Sequence, residues 1–116
     1  MEWQKSFKEI PDFRRDHVFK HHLLSDILLL SLCAVICGAD TDEEIETYGI
    51  EKETFLKTFL CLPHGIPSHD TITRVFRYLD KDKFSSCLYK HSATIKTFLS
   101  EQHISIDDRW EGMQSH

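Results

Sequence analysis

Glycine and proline are scarce here, 4 and 3 among 116 residues. Such a chain has no room for a long flexible linker or a low-complexity tract. Long apolar runs are missing as well. The most apolar stretch, Ile27 to Cys37, falls well short of the roughly 20 residues that a membrane span needs. It follows Asp26 and reads as a buried core helix, so no membrane contact is expected. Met1 to Lys5 has no apolar segment behind a basic flank, which excludes a secretory signal at this start. The 4 cysteines are therefore expected to be reduced, in a cytoplasmic protein. There is no glycine-rich phosphate loop and no nucleophile–base signature. Cys61-x2-His64 with His69 has the spacing of half a zinc site, but the second half is missing, and no metal site is expected. Cys33 and Cys37, four apart inside the apolar run, read as small buried thiols.

What is present is ordinary globular material, 41% hydrophobic and 28% charged, in a length that fits one domain. The periodicity is helical almost throughout. A first helix is expected over Trp3–Ile10, ended by Pro11. A second, apolar on all sides and so central, is expected over Asp26–Cys37, with Ser25 as its cap and Gly38 as its stop. Thr41-Asp42-Glu43-Glu44 is a capping box that opens a third helix, expected to end at Gly49. A fourth is expected from Lys52 to Leu60. After a turn rich in proline and glycine (Leu62 to Pro67), Ser68 caps a fifth over His69–Leu79, and Asp80 caps the last, Lys81–Glu101. His103 to Asp107 alternates like a strand, and a lone strand has no ladder partner. The fold class expected is all-α, about six helices with a short orphan strand at the C-terminus. The helical domain would occupy residues 1–102, and residues 103–116 would start something else.

Net charge is −5, which speaks against a uniformly basic nucleic-acid binder. The distribution is uneven, however: residues 40–53 carry −6 and residues 54–100 carry +4. In the fifth helix Ile72, Val75, Phe76 and Leu79 form an inward stripe. Asp70, Arg74, Arg77 and Lys81 fall on the opposite side. A basic outward stripe on a helix entered through a tight turn suits a helix-turn-helix DNA reader, whose arginines and lysines reach phosphates or guanine edges. The plainer alternative is a solvated helix face carrying an Asp70–Arg74 ion pair. His17, His21 and His22, beside Arg14, Arg15 and Lys20, read as surface residues.

Several motifs occur together in order. Pro11-Asp12-Phe13-Arg14-Arg15 is similar to a P-D-x-R-R opening. Leu24-Ser25-Asp26-Ile27-Leu28-Leu29-Leu30 precedes Cys37-Gly38-Ala39-Asp40. Gly65-Ile66-Pro67-Ser68-His69-Asp70-Thr71 leads into Arg74-Val75-Phe76 and Leu79-Asp80, and Ile104-Ser105-Ile106-Asp107 follows. Across about residues 7–107 this order resembles the H-repeat-associated family of bacterial insertion-sequence transposases. The resemblance implies a helical N-terminal domain ahead of a ribonuclease-H-like catalytic domain, with three acids binding two divalent metals for DNA strand cleavage and transfer. Asp107 would be the first of those acids, and Mg²⁺ would belong only to a full-length member. After Asp107 the family pattern continues Gly-Lys, where this chain has Asp108 and Arg109.

The expectation is therefore a truncated N-terminal transposase domain in a bacterial cytoplasm. It has no catalytic activity and binds DNA through Arg74, Arg77 and Lys81 with help from Arg14 and Arg15. Its alternative is a protein-interaction module that packs on a catalytic domain or self-associates, favoured by the acidic segment. A relic without function is the third possibility.

Overall fold

The structure, a computed structural model, describes residues 2–14 and 22–102. Among these residues are six helices: α1 (Glu2–Lys8), α2 (Leu24–Ile36), α3 (Asp42–Glu51), α4 (Glu53–Leu56), α5 (His69–Tyr78) and α6 (Lys81–Glu101). No strand occurs among the described residues, so the architecture there is all-α. The strand expected at 103–107 lies outside them. Among the described residues no helix is long and apolar enough to cross a membrane.

The centre is α2, against which α1, α3 and α5 pack. Ile27, Leu28, Leu30 and Ile36 are completely buried. Burying one such side chain contributes about 1.5–3 kcal/mol, so α2 is a principal source of stability. It begins at Leu24 rather than Asp26, and the residue before it, Leu23, gives no side-chain cap. Ser25 lies inside the first turn because Leu24 is itself buried and packing carries the helix start two residues further back. The end is as expected. Gly38 takes φ 110°, its N–H reaches the Val35 carbonyl at 3.0 Å, and the Ala39 N–H reaches that of Ala34 at 3.0 Å. These two bonds make a Schellman stop.

In α3 the Thr41 hydroxyl accepts from the Glu44 N–H at 3.1 Å, and Glu44 accepts from the Asp40 N–H at 2.7 Å. Gly49 does not end this helix. It is buried within it, where an added Cβ would lie 2.7 Å from Ile66 Cγ2. Its smallness serves a close approach between α3 and the loop before α5. The fourth helix is shorter than expected. After Leu56 the N–H groups of Thr58 and Phe59 bond carbonyls three residues back, at 3.0 and 3.1 Å, the tighter 3₁₀ pattern. Phe59 thereby joins Trp3 of α1 and Phe98 of α6, at centroid distances of 5.8 and 5.2 Å.

The loop from α4 to α5 is anchored from below. Asp26 is buried, and its carboxylate accepts from the N–H groups of Cys61 at 3.3 Å and Leu62 at 2.8 Å. Leu62 has φ 41°, a left-handed conformation that a leucine seldom adopts. Residues 57–68 therefore form a long, pinned connection, where a helix-turn-helix joins its two helices through a turn of roughly 3–4 residues. The last helix, α6, spans the expected residues. Asp80 accepts from the Lys83 N–H at 3.2 Å, and His91 meets the Ser6 hydroxyl of α1 at 2.9 Å.

Candidate nucleic-acid interface

Ser68 starts α5 by accepting from the Thr71 N–H at 3.3 Å. The inner side of the helix buries Ile72 and Val75. A second side faces α3, where polar groups meet in register. His69 Nδ1 lies 2.8 Å from Glu46 Oε1, and the His69 N–H donates to the same oxygen at 3.2 Å. One turn along, the Thr73 hydroxyl donates to the Asp42 carboxylate. Residues four apart on one helix thus meet residues four apart on the other, which fixes the rotation of α5 about its axis.

The pair shifts both partners. The hydrogen bond from His69 holds Glu46 below the usual carboxylate range. The bond to Glu46, with the charge of Asp70 adding, raises His69 above an ordinary histidine. Sequence periodicity missed this clasp. Its signal was there, in acids at 42 and 46 and hydrogen-bonding residues at 69 and 73.

With these two sides committed, Asp70, Arg74, Arg77 and Tyr78 are left exposed. Among the described residues Arg74 and Arg77 make no ion pair and no side-chain hydrogen bond. The Asp70–Arg74 pair is not formed; Asp70 sits 3.5 Å from His69 Nε2 instead. Lys81 is exposed and equally uncommitted, but it stands at the first position of α6. Leu79 and Asp80 are extended between the two helices, so the helical period does not carry Lys81 onto the face of Arg74 and Arg77.

Arg14 has a different occupation. Its Nε and Nη2 donate to the Asp12 carboxylate at 2.9 and 2.7 Å, and Nη1 donates to the His22 carbonyl at 2.7 Å. Its side chain is 15% exposed. It ties the Asp12 carboxylate to the backbone of His22. Phe13, beside Arg14, reaches α5: its ring lies 6.3 Å from that of Tyr78. Arg15 and Asp107 lie outside the described residues.

The half zinc site is not assembled. His69 is engaged by Glu46 and Asp70, and among the described residues no group of three potential ligands is placed to hold a metal. Cys33 is buried, and burial pushes its thiol far up. Cys37 is half-buried, with its thiol 3.8 Å from the Tyr48 hydroxyl.

The chain, all-helical among its described residues, belongs to the DDE_Tnp_1-associated family, whose model matches residues 4–92. Three relatives are particularly informative. "H repeat-associated putative transposase YhhI" of Escherichia coli K12 is 40% identical over 100 residues, 86% of this chain and 26% of YhhI. "Uncharacterized protein in dhlA 3'region" of Xanthobacter autotrophicus is 46% identical over 87 residues, 75% of this chain and 30% of that protein. "Inactive transposase YbfQ" of Escherichia coli K12 is 47% identical over 78 residues, 65% of this chain and 92% of YbfQ. The chain thus spans between a quarter and a third of the length of its longer relatives, YhhI and the Xanthobacter protein, and most of the length of YbfQ. No solved structure matches it.

Proposed function

We propose that this domain is the DNA-contacting part of a transposase, without strand-cleaving chemistry of its own. The observation that carries the proposal is the pair of exposed arginines Arg74 and Arg77 on the outer face of α5, which make no ion pair among the described residues. A cation with no internal partner gives up no ion pair when it meets a phosphate. The clasp to α3 holds these two residues facing outward. In this reading α5 is the DNA-facing helix, Lys81 adds charge beyond its end, and Arg14 acts by shaping the neighbouring segment. Asp107 stays assigned, through the family resemblance, as the first of three acids. Mg²⁺ is a partner of a full-length enzyme and not of this domain.

Binding of labelled duplex DNA tests the proposal. The double substitution Arg74→Ala with Arg77→Ala should weaken binding about tenfold or more, as expected for two charge-assisted contacts. Unchanged affinity would remove α5 as the interface. Incubation with Mg²⁺ and element-end DNA should give no nicking, and reproducible metal-dependent cleavage would contradict the non-catalytic assignment.

A second reading has its own support. A groove of about 270 Å³, lined by Val35, Ala39, Ile45, Phe76, Phe84 and Leu88, opens beside the acidic start of α3. Val35 is exposed on a helix whose other residues, apart from half-buried Ser25, are buried. Such a groove suits packing against another protein or a second copy. Concentration-dependent mass in sedimentation without DNA binding would favour this alternative.

A further inference from the structure

We infer that Phe13 and Tyr78 form a stacking platform for the base of an unpaired nucleotide, so that the ligand favoured by this surface is DNA with single-stranded character. The inference rests on the DNA-binding reading and narrows its ligand. Tyr78, the last residue of α5, is 61% exposed, and Phe13 is 39% exposed. Their rings lie 6.3 Å apart and are tilted by 52°. Exposed aromatic rings are common singly; Tyr89 is one, and it makes no ring contact among the described residues. Two exposed rings brought together from distant parts of the chain, beside two arginines that have no ion pair among the described residues, are a more specific arrangement.

The platform is built before any ligand arrives. Asp12 accepts the backbone N–H of Arg14 at 3.0 Å as well as its guanidinium, and the guanidinium closes onto the His22 carbonyl. The Asp12–Arg14 segment is thereby fixed and presents Phe13 to α5. Tyr78 is held from the other side by α5, whose rotation the His69–Glu46 and Thr73–Asp42 contacts determine. Groups already held in place lose little further entropy on binding. Arg74 lies one turn before Tyr78 and Arg77 directly before it, so phosphates flanking a stacked base have cations within reach. Every base has a π-face, which makes such a site tolerant of sequence. A blunt duplex keeps its bases stacked on one another and offers the platform nothing.

The test compares a labelled thymidine oligonucleotide with a blunt duplex of equal length, in fluorescence anisotropy with the whole chain. Tyr78→Ala should weaken single-strand binding about tenfold, in line with the loss of one stacked base, while duplex binding changes less than about twofold. Tyr78→Phe, which keeps the ring, should bind both as the wild type does, and Phe13→Ala should lose part of the single-strand affinity. Single-strand binding indifferent to Tyr78→Ala overturns the platform. So does an equal loss on both ligands, which would mark a structural role. Single-strand binding that needs Arg74 and Arg77 but ignores both rings overturns the platform alone. Absence of binding to either DNA overturns the platform and the DNA-binding reading together.

Discussion

Asp26, in the first turn of α2, reaches the backbone of Leu62 across 36 positions of sequence and accepts its N–H at 2.8 Å. The neighbouring N–H of Cys61 shares the same carboxylate. A dipole argument alone would place Asp26 at the helix start as a favourable but replaceable charge. Its burial and its two backbone partners make it the fastening between the core helix and the loop that leads to α5.

Removing that carboxylate should therefore be costly. Asp26→Ala orphans the buried N–H of Leu62 and removes the acceptor of the part-buried N–H of Cys61, and should destabilise the domain by about 1–3 kcal/mol. Asp26→Asn retains one acceptor but turns an amide donor toward an N–H, and should cost roughly half as much. Urea unfolding followed by circular dichroism measures both. A loss below about 0.5 kcal/mol for the alanine variant, the scale of an ordinary surface change, would show that the loop does not depend on Asp26.

Gly49 gives a second prediction, of opposite sign to helix propensity. Alanine in a helix interior is normally better than glycine by about 1 kcal/mol. Here the new Cβ would meet Ile66 Cγ2 at 2.7 Å and Leu30 Cδ1 at 3.2 Å. Overpacking of this kind costs about 1–3 kcal/mol, so Gly49→Ala should be net destabilising. Combining it with Ile66→Ala should cost less than the sum of the two single changes. Strict additivity in the same unfolding assay would contradict the close approach.

The His69–Glu46 clasp makes stability depend on pH from two sides. His69 is raised above its ordinary 6.5, so its contribution is complete below that value and is lost as pH climbs through the raised one. Glu46 is lowered below its ordinary 4.5, so its contribution is complete above 4.5 and is lost as pH falls through the lowered value. The clasp is therefore strongest between about pH 4.5 and 6.5. A proton NMR titration should find His69 above 6.5, and Glu46→Gln should bring it back down. A His69 that titrates at 6.5 in the intact domain would mean that the pair does not form in solution.

How much of this was legible depended on how local each cause was. Thr41, Ser68 and Asp80 cap their helices as sequence alone indicates, because a cap involves only residues three apart. Gly38 is legible for the same reason. Gly49 misled, since a glycine that stops a helix and one that admits a neighbour look alike until Ile66 is in place. The fourth helix ran short because Phe59 answers to Trp3 and Phe98, not to its own periodicity. On the candidate surface the outward direction of Arg74 and Arg77 followed from the apolar stripe of α5. The placement of Arg14 did not, because its partners are Asp12 and a backbone carbonyl at His22, and charge alone does not separate a guanidinium that binds phosphate from one that holds a loop.

The central claim is that Arg74 and Arg77 meet DNA phosphates, and its most direct test is the salt dependence of duplex binding. Each phosphate neutralised adds about 0.9 to the slope of log K against log salt. Removing both arginines by Arg74→Ala and Arg77→Ala should therefore flatten that slope by about 2 and weaken binding most at low salt. A double variant with the same slope and the same affinity as the wild type would contradict the account.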